Sequence, residues 1–212
     1  MVERLTPERR KELTRDALVD AAAIVFARKG FVAASLDEIA ESAGYSRGAI
    51  HFHFDTKDDL FVAVLERYYD GLLAAYVERP LAVDAFPNDA VATAKMWTEI
   101  HGEGGVDHVL LYQEFRTYAL RNPAFGRRAV ELEARAKAAT AEFLARRAEE
   151  RGLRWRIPIE QVTELLYATS FGLVERDAIS GATSEPAFAA FLALLWDATL
   201  EPVPKPKARR KR

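Results

Sequence analysis

Hydrophobic residues recur every three or four positions along most of this 212-residue chain. This is the spacing of side chains that share one face of an α-helix. In the first such segment Leu18, Ala22, Val25 and Phe26 lie on a common face. We find no convincing alternation of apolar and polar residues of the kind that indicates a half-buried strand. The pattern therefore predicts an all-α fold with roughly nine helices.

Capping residues and helix breakers divide the pattern into separate helices. Thr6 followed by Pro7 predicts the start of the first helix, and Gly30 predicts its end. Ser35 and Glu38 have the spacing of a capping box. Further starts are predicted at Ser46, Thr56 with Asp59, Asn88, Asp107, Pro158 and Ser184, and further ends near Arg79–Pro80, His101, Asn122–Pro123, Arg151–Gly152, Ser180–Gly181 and Leu200.

Residues 35–57 carry the most specific pattern, two short helices joined by a tight turn and followed by the start of a third. Ala40 and Ala43 are small enough for two helices to cross closely. Gly44 can adopt the positive φ that a tight turn often requires. This arrangement is typical of the helix-turn-helix, whose second helix enters the major groove of DNA.

The second short helix is expected to present its first residues to DNA. Arg47 can read guanine or grip phosphate, because its guanidinium group is planar and always charged. Gly48 would allow close approach to the DNA, and Lys57 can meet a phosphate together with free backbone N–H groups. The predicted DNA-binding residues are Ser35, Ser46, Arg47, Gly48, His51 and Lys57.

Apolar, small and polar residues at fixed spacing surround this hairpin. They are Phe26, Gly30, Phe31, Ser35, Ile39, Ala40, Ala43, Gly44, Ser46, Gly48, Ile50, His53, Phe54, Lys57 and Leu60. Over roughly residues 14–65 this set resembles the N-terminal domain of TetR-family transcriptional regulators. In one departure, His51 stands where the family usually has a tyrosine that contacts the DNA backbone.

The resemblance implies a three-helix DNA-binding domain at residues 1–60 and a helical ligand-binding and dimerisation domain at residues 61–200. It also implies a function, that of a dimeric regulator, most simply a repressor. Such a protein binds a palindromic operator in double-stranded DNA and is released by a small, largely apolar molecule. The long helix after Thr56 would join the two domains.

Aromatic and polar residues on successive helices of the second domain could line the implied pocket. Ordinary core packing is the alternative for each of them. Arg116 would suit an anionic group of the ligand if it faces inward, and pairing with Glu114 or Glu131 is the alternative. The predicted ligand-binding residues are Trp97, His101, Tyr112, Phe115, Arg116, Tyr167 and Phe171.

The last two helices are strongly apolar and are predicted to form the dimer interface, with burial inside one chain as the alternative. Gly172 would permit close approach, and two such pairs would form a four-helix bundle with twofold symmetry. The predicted interface residues are Val162, Leu165, Leu166, Thr169, Leu173, Phe188, Phe191, Leu192 and Leu195.

Charge does not mark the chain as a nucleic-acid binder, because its formal net charge is −2. Residues 1–60 contain nine Lys and Arg against eleven Asp and Glu. Residues 201–212 are expected to form a disordered, solubilising basic tail, with phosphate contact as the alternative. A basic run at residues 9–11 lies between Glu8 and Glu12, so a solvated helix face is at least as good an interpretation.

Composition narrows the remaining classes of function. The chain has no cysteine, which excludes thiol catalysis and cysteine-ligated metals. His51 and His53 are two apart on a helix and point away from each other, so no metal is predicted there. With neither a signal peptide nor a spanning segment, a cytoplasmic protein without a membrane partner is expected. We expect no enzyme and no cofactor. A helical metal-dependent enzyme using the His101–His108 region is the alternative.

Overall fold

The computed structural model of the chain describes residues 6–78, 86–103 and 105–204. Nine helices occupy most of these described residues, so the predicted all-α class and helix number are confirmed. The helices are α1 (Pro7–Ala33), α2 (Leu36–Ser42), α3 (Arg47–His53), α4 (Lys57–Glu78), α5 (Ala90–Glu103), α6 (Gly105–Arg121), α7 (Pro123–Glu150), α8 (Ile159–Ser180) and α9 (Glu185–Thr199). Within the described residues, none of these helices is long and apolar enough to cross a membrane.

A small antiparallel sheet departs from the predicted pattern. Strand β1 (Leu153–Trp155) pairs with β2 (Leu200–Pro202). Each strand has only three residues, too few for an alternating pattern to be recognised. The predicted disordered tail therefore does not hold for residues 201–202, which lie in β2, while residues 205–212 lie outside the described residues.

Most of the predicted helix boundaries are confirmed. The Thr6 hydroxyl accepts the N–H of Arg9 at 3.2 Å, and the Ser35 hydroxyl accepts the N–H of Glu38 at 3.1 Å. Gly30 interrupts α1 with a φ of +77°, a conformation that strongly favours glycine. The predicted boundary at Arg79–Pro80 lies outside the described residues.

Two predicted caps are replaced by neighbouring interactions. Asp89, not Asn88, caps α5, because its carboxylate accepts the N–H of Ala92 at 2.8 Å. Ser184 makes no side-chain cap on α9 and instead donates its hydroxyl to Asp177. The residue after a break in the pattern identifies a helix start only to within a position or two.

The chain forms two compact units that differ from the predicted 1–60 and 61–200 division. The first contains residues 1–72 and 104–134, and the second contains residues 73–103 and 135–212. Packing defines these units, whereas the predicted division concerns function and stays a prediction. In the first unit, α6 and the start of α7 pack with α1–α4, which the sequence pattern did not indicate.

Aromatic rings form the core of the first unit. Phe61 of α4 is fully buried, with ring centroids of Phe31, Phe115 and Phe26 at 4.5, 4.3 and 4.8 Å. Truncating a buried phenylalanine to alanine typically costs about 3–5 kcal/mol. The Phe115 ring of α6 thus packs against α4, one of the helices that carry the predicted DNA-binding residues.

Polar contacts add to this support at the ends of α1 and α4. The Glu114 carboxylate of α6 accepts the backbone N–H of Phe31 at 2.8 Å. The Tyr118 hydroxyl donates to Asp58 at 2.9 Å, and Arg128 pairs with Asp59 at 2.8 Å. Burial, and then the bond to Asp58, raises the pKa of Tyr118. Helix α6 is therefore fixed to both neighbours of the helix-turn-helix.

The second unit has a separate core in which α5 packs against α9. Trp97 of α5 is buried, and its ring centroid lies 4.4 Å from that of Phe188 of α9. The buried members of this core are Phe86, Ala94, Trp97, Ala148, Phe188, Leu192 and Trp196.

Candidate nucleic-acid interface

The turn between α2 and α3 has the geometry that the sequence predicted. Gly44 has a φ of +75°, and the N–H of Tyr45 donates to the carbonyl oxygen of Ala40 at 2.8 Å. Ile39 and Ile50 are fully buried beneath the two helices. One face of each short helix is therefore anchored in the core while the turn stays at the surface.

Helix α3 exposes the side that carries the predicted reading residues. Ser46 precedes the helix in an extended conformation, and its side chain makes no capping hydrogen bond. Arg47, Gly48 and His51 are all exposed, whereas Ile50 of the same helix is buried. An exposed N-terminal end on an anchored helix is the arrangement that a helix-turn-helix uses to reach base edges.

An acidic residue accompanies Arg47 at this end of α3. The Nε atom of Arg47 lies 3.2 Å from a carboxylate oxygen of Asp37, and both side chains are more than 60% exposed, at 65% and 62%. An exposed pair of this kind contributes at most about 1 kcal/mol to stability. The contact leaves the terminal nitrogens of the guanidinium available for another partner. Sequence spacing alone did not reveal it.

Lys57 lies inward rather than projecting as a free cation. Its Nζ atom donates to the carbonyl oxygen of Ala34 at 2.8 Å and lies 4.5 Å from the centre of the Phe31 ring. Burial lowers the pKa of Lys57. The side chain joins the end of α1 to the start of α4, so its contact with a phosphate stays a prediction. Ser35 likewise has a structural role, as the cap of α2.

Two cations of α1 lie beside the far end of α3. Lys11 Nζ lies 5.1 Å from the centre of the Phe52 ring, and Arg15 Cζ lies 5.3 Å from that of Phe54. His53, between these two aromatic residues, is half-buried, and its pKa is lowered by burial and then by both cations.

The amino-acid sequence of this region matches a known family. Residues 18–64 match the sequence model of bacterial regulatory proteins of the tetR family. Residues 18–64 are a TetR-family segment. The match includes α2, the turn at Gly44 and α3, so the predicted resemblance is confirmed where it was most specific.

The curated relatives of this TetR-family segment include both transcriptional activators and repressors. The activator FasR of Mycolicibacterium smegmatis is 43% identical over 60 residues, which are 28% of this chain and 27% of FasR. The repressor KstR2 of Rhodococcus jostii is 28% identical over 112 residues, which are 52% of this chain and 54% of KstR2. The matched residues thus span between about a quarter and about a half of these relatives.

Solved structures extend the similarity to the fold of most of the chain. A TetR-family transcriptional regulator from Rhodococcus sp. aligns with a TM-score of 0.71 and 19% identity, covering 88% of this chain and 98% of its own. The multidrug-binding protein EbrR, solved with ethidium, aligns with a TM-score of 0.65 and 25% identity, covering 86% of this chain and 98% of its own. By name, these proteins are transcriptional regulators or binding proteins.

The residues predicted to bind a ligand divide between the two units. In the second unit, the Trp97 indole N–H donates to the hydroxyl of Ser170, and His101 Nδ1 donates to the Trp97 carbonyl oxygen at 2.9 Å. Tyr167 and Phe171 are half-buried, with ring centroids 5.7 Å apart. This half of the set combines aromatic surface with polar atoms.

The other three predicted ligand residues belong to the first unit. Phe115 is part of its aromatic core, and Tyr112 stacks on Tyr68 with centroids 5.8 Å apart. Arg116 is exposed, with its guanidinium carbon 5.7 Å from the centre of the Tyr112 ring. Glu114, the expected alternative partner of Arg116, instead accepts the N–H of Phe31. For Phe115, core packing is the better interpretation.

Four predicted dimer residues are buried within their own chain. Val162, Phe188, Leu192 and Leu195 are at most 7% exposed in the single chain. They have almost no surface left to bury against a second copy and so act in the core. The remaining predicted interface residues, all partly or fully exposed, are Leu165, Leu166, Thr169, Leu173 and Phe191.

The alternative metal site around residues 101–108 gains no support. Among the residues that the structure describes, no group of three or more histidine or acidic side chains could hold a metal ion. His101 bonds within its own helix, and His108 lies edge-on to Tyr68. The side chains of residues 102–104 are outside the described part.

Proposed function

We propose that this chain is a DNA-binding transcriptional regulator that acts as a homodimer on a palindromic operator. In this proposal, α3 enters the major groove, and Arg47, Gly48 and His51 face the DNA. The observation that carries the proposal is the exposed face of α3, anchored by buried Ile50 within a TetR-family segment. Its negative net charge implies modest non-specific affinity, so that placed groups decide binding.

Repression in the cytoplasm is the proposed mode of action. The longer of the two matches described above is to a repressor, KstR2, although the activator FasR shares more identity over a shorter segment. A protein that covers an operator can block transcription without further contacts. The functional division into a DNA-binding domain at residues 1–60 and an effector and dimerisation domain at residues 61–200 belongs to the same proposal.

A small, largely apolar molecule is the proposed effector. EbrR, which the chain resembles in fold, is a multidrug-binding protein solved with ethidium. Trp97, Tyr167 and Phe171 supply aromatic surface, and Ser170 supplies a polar atom beside Trp97. A ligand can release DNA only if it binds more tightly to the conformation that has low affinity for DNA.

Selection of bound fragments from a genomic DNA pool tests the proposal. The purified full chain should enrich fragments that share an inverted repeat, and Arg47→Ala should lose this enrichment while remaining a folded dimer by circular dichroism and light scattering. Arg127→Ala, which removes an exposed arginine of α7, serves as the matched control and should enrich the same repeat. Recovery of fragments without a shared sequence would contradict the proposal.

A further inference from the structure

Lys11 and Arg15 of α1 lie over the rings of Phe52 and Phe54, at the C-terminal end of α3. Phe52, the ring beneath Lys11, is 68% exposed on the same helix as Arg47 and His51. A cation over an aromatic ring is attracted by the negative face of the ring. The two side chains are thus held beside the proposed reading helix while their charges stay in solvent.

Three of the four acidic side chains of α1 pair with cations other than Lys11 and Arg15, because Glu12 pairs with Arg9 and both Asp16 and Asp20 pair with Arg67. Within residues 6–78, 86–103 and 105–204, no ion pair includes Lys11 or Arg15. The positive charge is therefore available to an anion from outside the chain.

The position of the pair along α3 indicates which anion this would be. Helix α3 has seven residues and is about 10 Å long, close to the major-groove width of about 12 Å. If its N-terminal end reads base edges, its other end, with Phe52 and His53, lies towards the phosphates that border the groove. Burial, and then the charges of Lys11 and Arg15, lower the pKa of His53 at this end of the helix.

We propose that Lys11 and Arg15 form a phosphate-binding site on α1 that grips the DNA backbone beside the groove entered by α3. This inference rests on the proposed DNA-binding function and adds a second element, α1, to its interface. Phe52 and Phe54 hold the two cations in place. Since phosphate contacts carry no sequence information, the site contributes affinity and register but no base preference.

The salt dependence of binding by the full chain tests the site. The double variant Lys11→Gln/Arg15→Gln is compared with Arg121→Gln/Arg127→Gln, which removes two exposed cations from α6 and α7. Fluorescence anisotropy is measured on the selected operator and on a random duplex at several salt concentrations. The slope of log affinity against log salt is negative, and each lost phosphate contact should reduce its magnitude by about 0.9, or by about 2 per bound subunit.

A shallower slope for Lys11→Gln/Arg15→Gln, with an unchanged ratio of operator to random binding, supports the site. The charge-preserving swap Lys11→Arg/Arg15→Lys should retain the parent slope, which separates loss of charge from loss of fold. Equal slopes for the double variant and its control would overturn the inference alone. A parent chain that shows no preference for any duplex would instead overturn the proposed function and, with it, this inference.

Discussion

Replacing Gly30 with alanine tests how the end of α1 is fixed next to the helix-turn-helix. Gly30 has φ +77° and ψ 158°, a region that only glycine occupies readily. A Cβ atom there would lie 3.1 Å from both carboxylate oxygens of Glu114. One of those oxygens accepts the N–H of Phe31 at 2.8 Å. The substitution therefore combines backbone strain with displacement of a charged acceptor.

The size of the effect follows from these two contributions. The backbone conformation costs about 1–3 kcal/mol for a residue other than glycine. A hydrogen bond to a charged group contributes about 1.5–3 kcal/mol. Only a part of this is lost, because the flexible carboxylate can move by a few tenths of an ångström and keep some of the bond. We expect Gly30→Ala to lower the free energy of unfolding by about 3 kcal/mol, or the Tm by about 9 °C for a chain of this length.

Gly44→Ala is the matched control, because Gly44 has a φ of +75° but nothing within 4 Å of its added Cβ. It should cost only the backbone term, about 1–2 kcal/mol. Thermal and urea unfolding followed by circular dichroism measure both variants, with and without Glu114→Ala. If Gly30→Ala costs no more than Gly44→Ala, or if its cost is the same with Glu114→Ala, the reasoning is refuted.

Three further substitutions probe the proposed interface. Asp37→Asn should change stability by less than about 0.5 kcal/mol but raise affinity for a random duplex by up to about fivefold, the effect of ~1 kcal/mol, because it removes a negative charge beside Arg47; unchanged anisotropy titrations would contradict this. Burial and the neighbouring cations lower the pKa of His53, so the unfolded state binds more protons and the stability of the parent falls as the pH drops below about 6.5. Between pH 7.5 and 5.5 the Tm of His53→Gln should therefore fall less than that of the parent, and an equal fall in both would contradict this reasoning. Because an imidazole N–H can donate to a phosphate oxygen, His51→Phe should bind the operator more weakly than the parent, and equal affinities would exclude this role.

The sequence predicted features that local chemistry determines. Gly30 is predicted to end the first helix and Gly44 to allow a positive φ in the turn, and both glycines have a positive φ. The break at Asn122–Pro123 separates α6 from α7 as expected, because proline cannot continue the hydrogen bonding of the preceding helix. Apolar spacing likewise identified the buried side of α3 through Ile50.

Features that depend on distant partners were not predictable in the same way. Glu114 and Tyr118 bond to residues 83 and 60 positions away, and no local pattern indicates those pairings. Periodicity also cannot tell a core-facing apolar stripe from one that faces a second copy. For this reason Val162 and Phe188 were assigned to an interface, although both are buried within their own chain.

The position of charged groups in the candidate interface shows the same limit. Sequence spacing identified Arg47 and Lys57 as available cations, but Lys57 bonds to the end of α1 and Arg47 contacts Asp37. Only the folded structure shows that cations of α1 lie beside α3, because Lys11 and Phe52 are far apart in sequence. Residue type predicted the chemistry of the surface, while the fold decided which charges are available.

The most direct measurement of the central claim is the affinity of the parent chain and of Arg47→Ala for the selected operator and for a random duplex of equal length. If α3 reads DNA, the parent should prefer the operator, and Arg47→Ala should lose about 1–3 kcal/mol of that preference, or about 5- to 160-fold in the affinity ratio. The control Arg127→Ala should keep it. An affinity ratio that is the same for the parent and for Arg47→Ala would contradict the account.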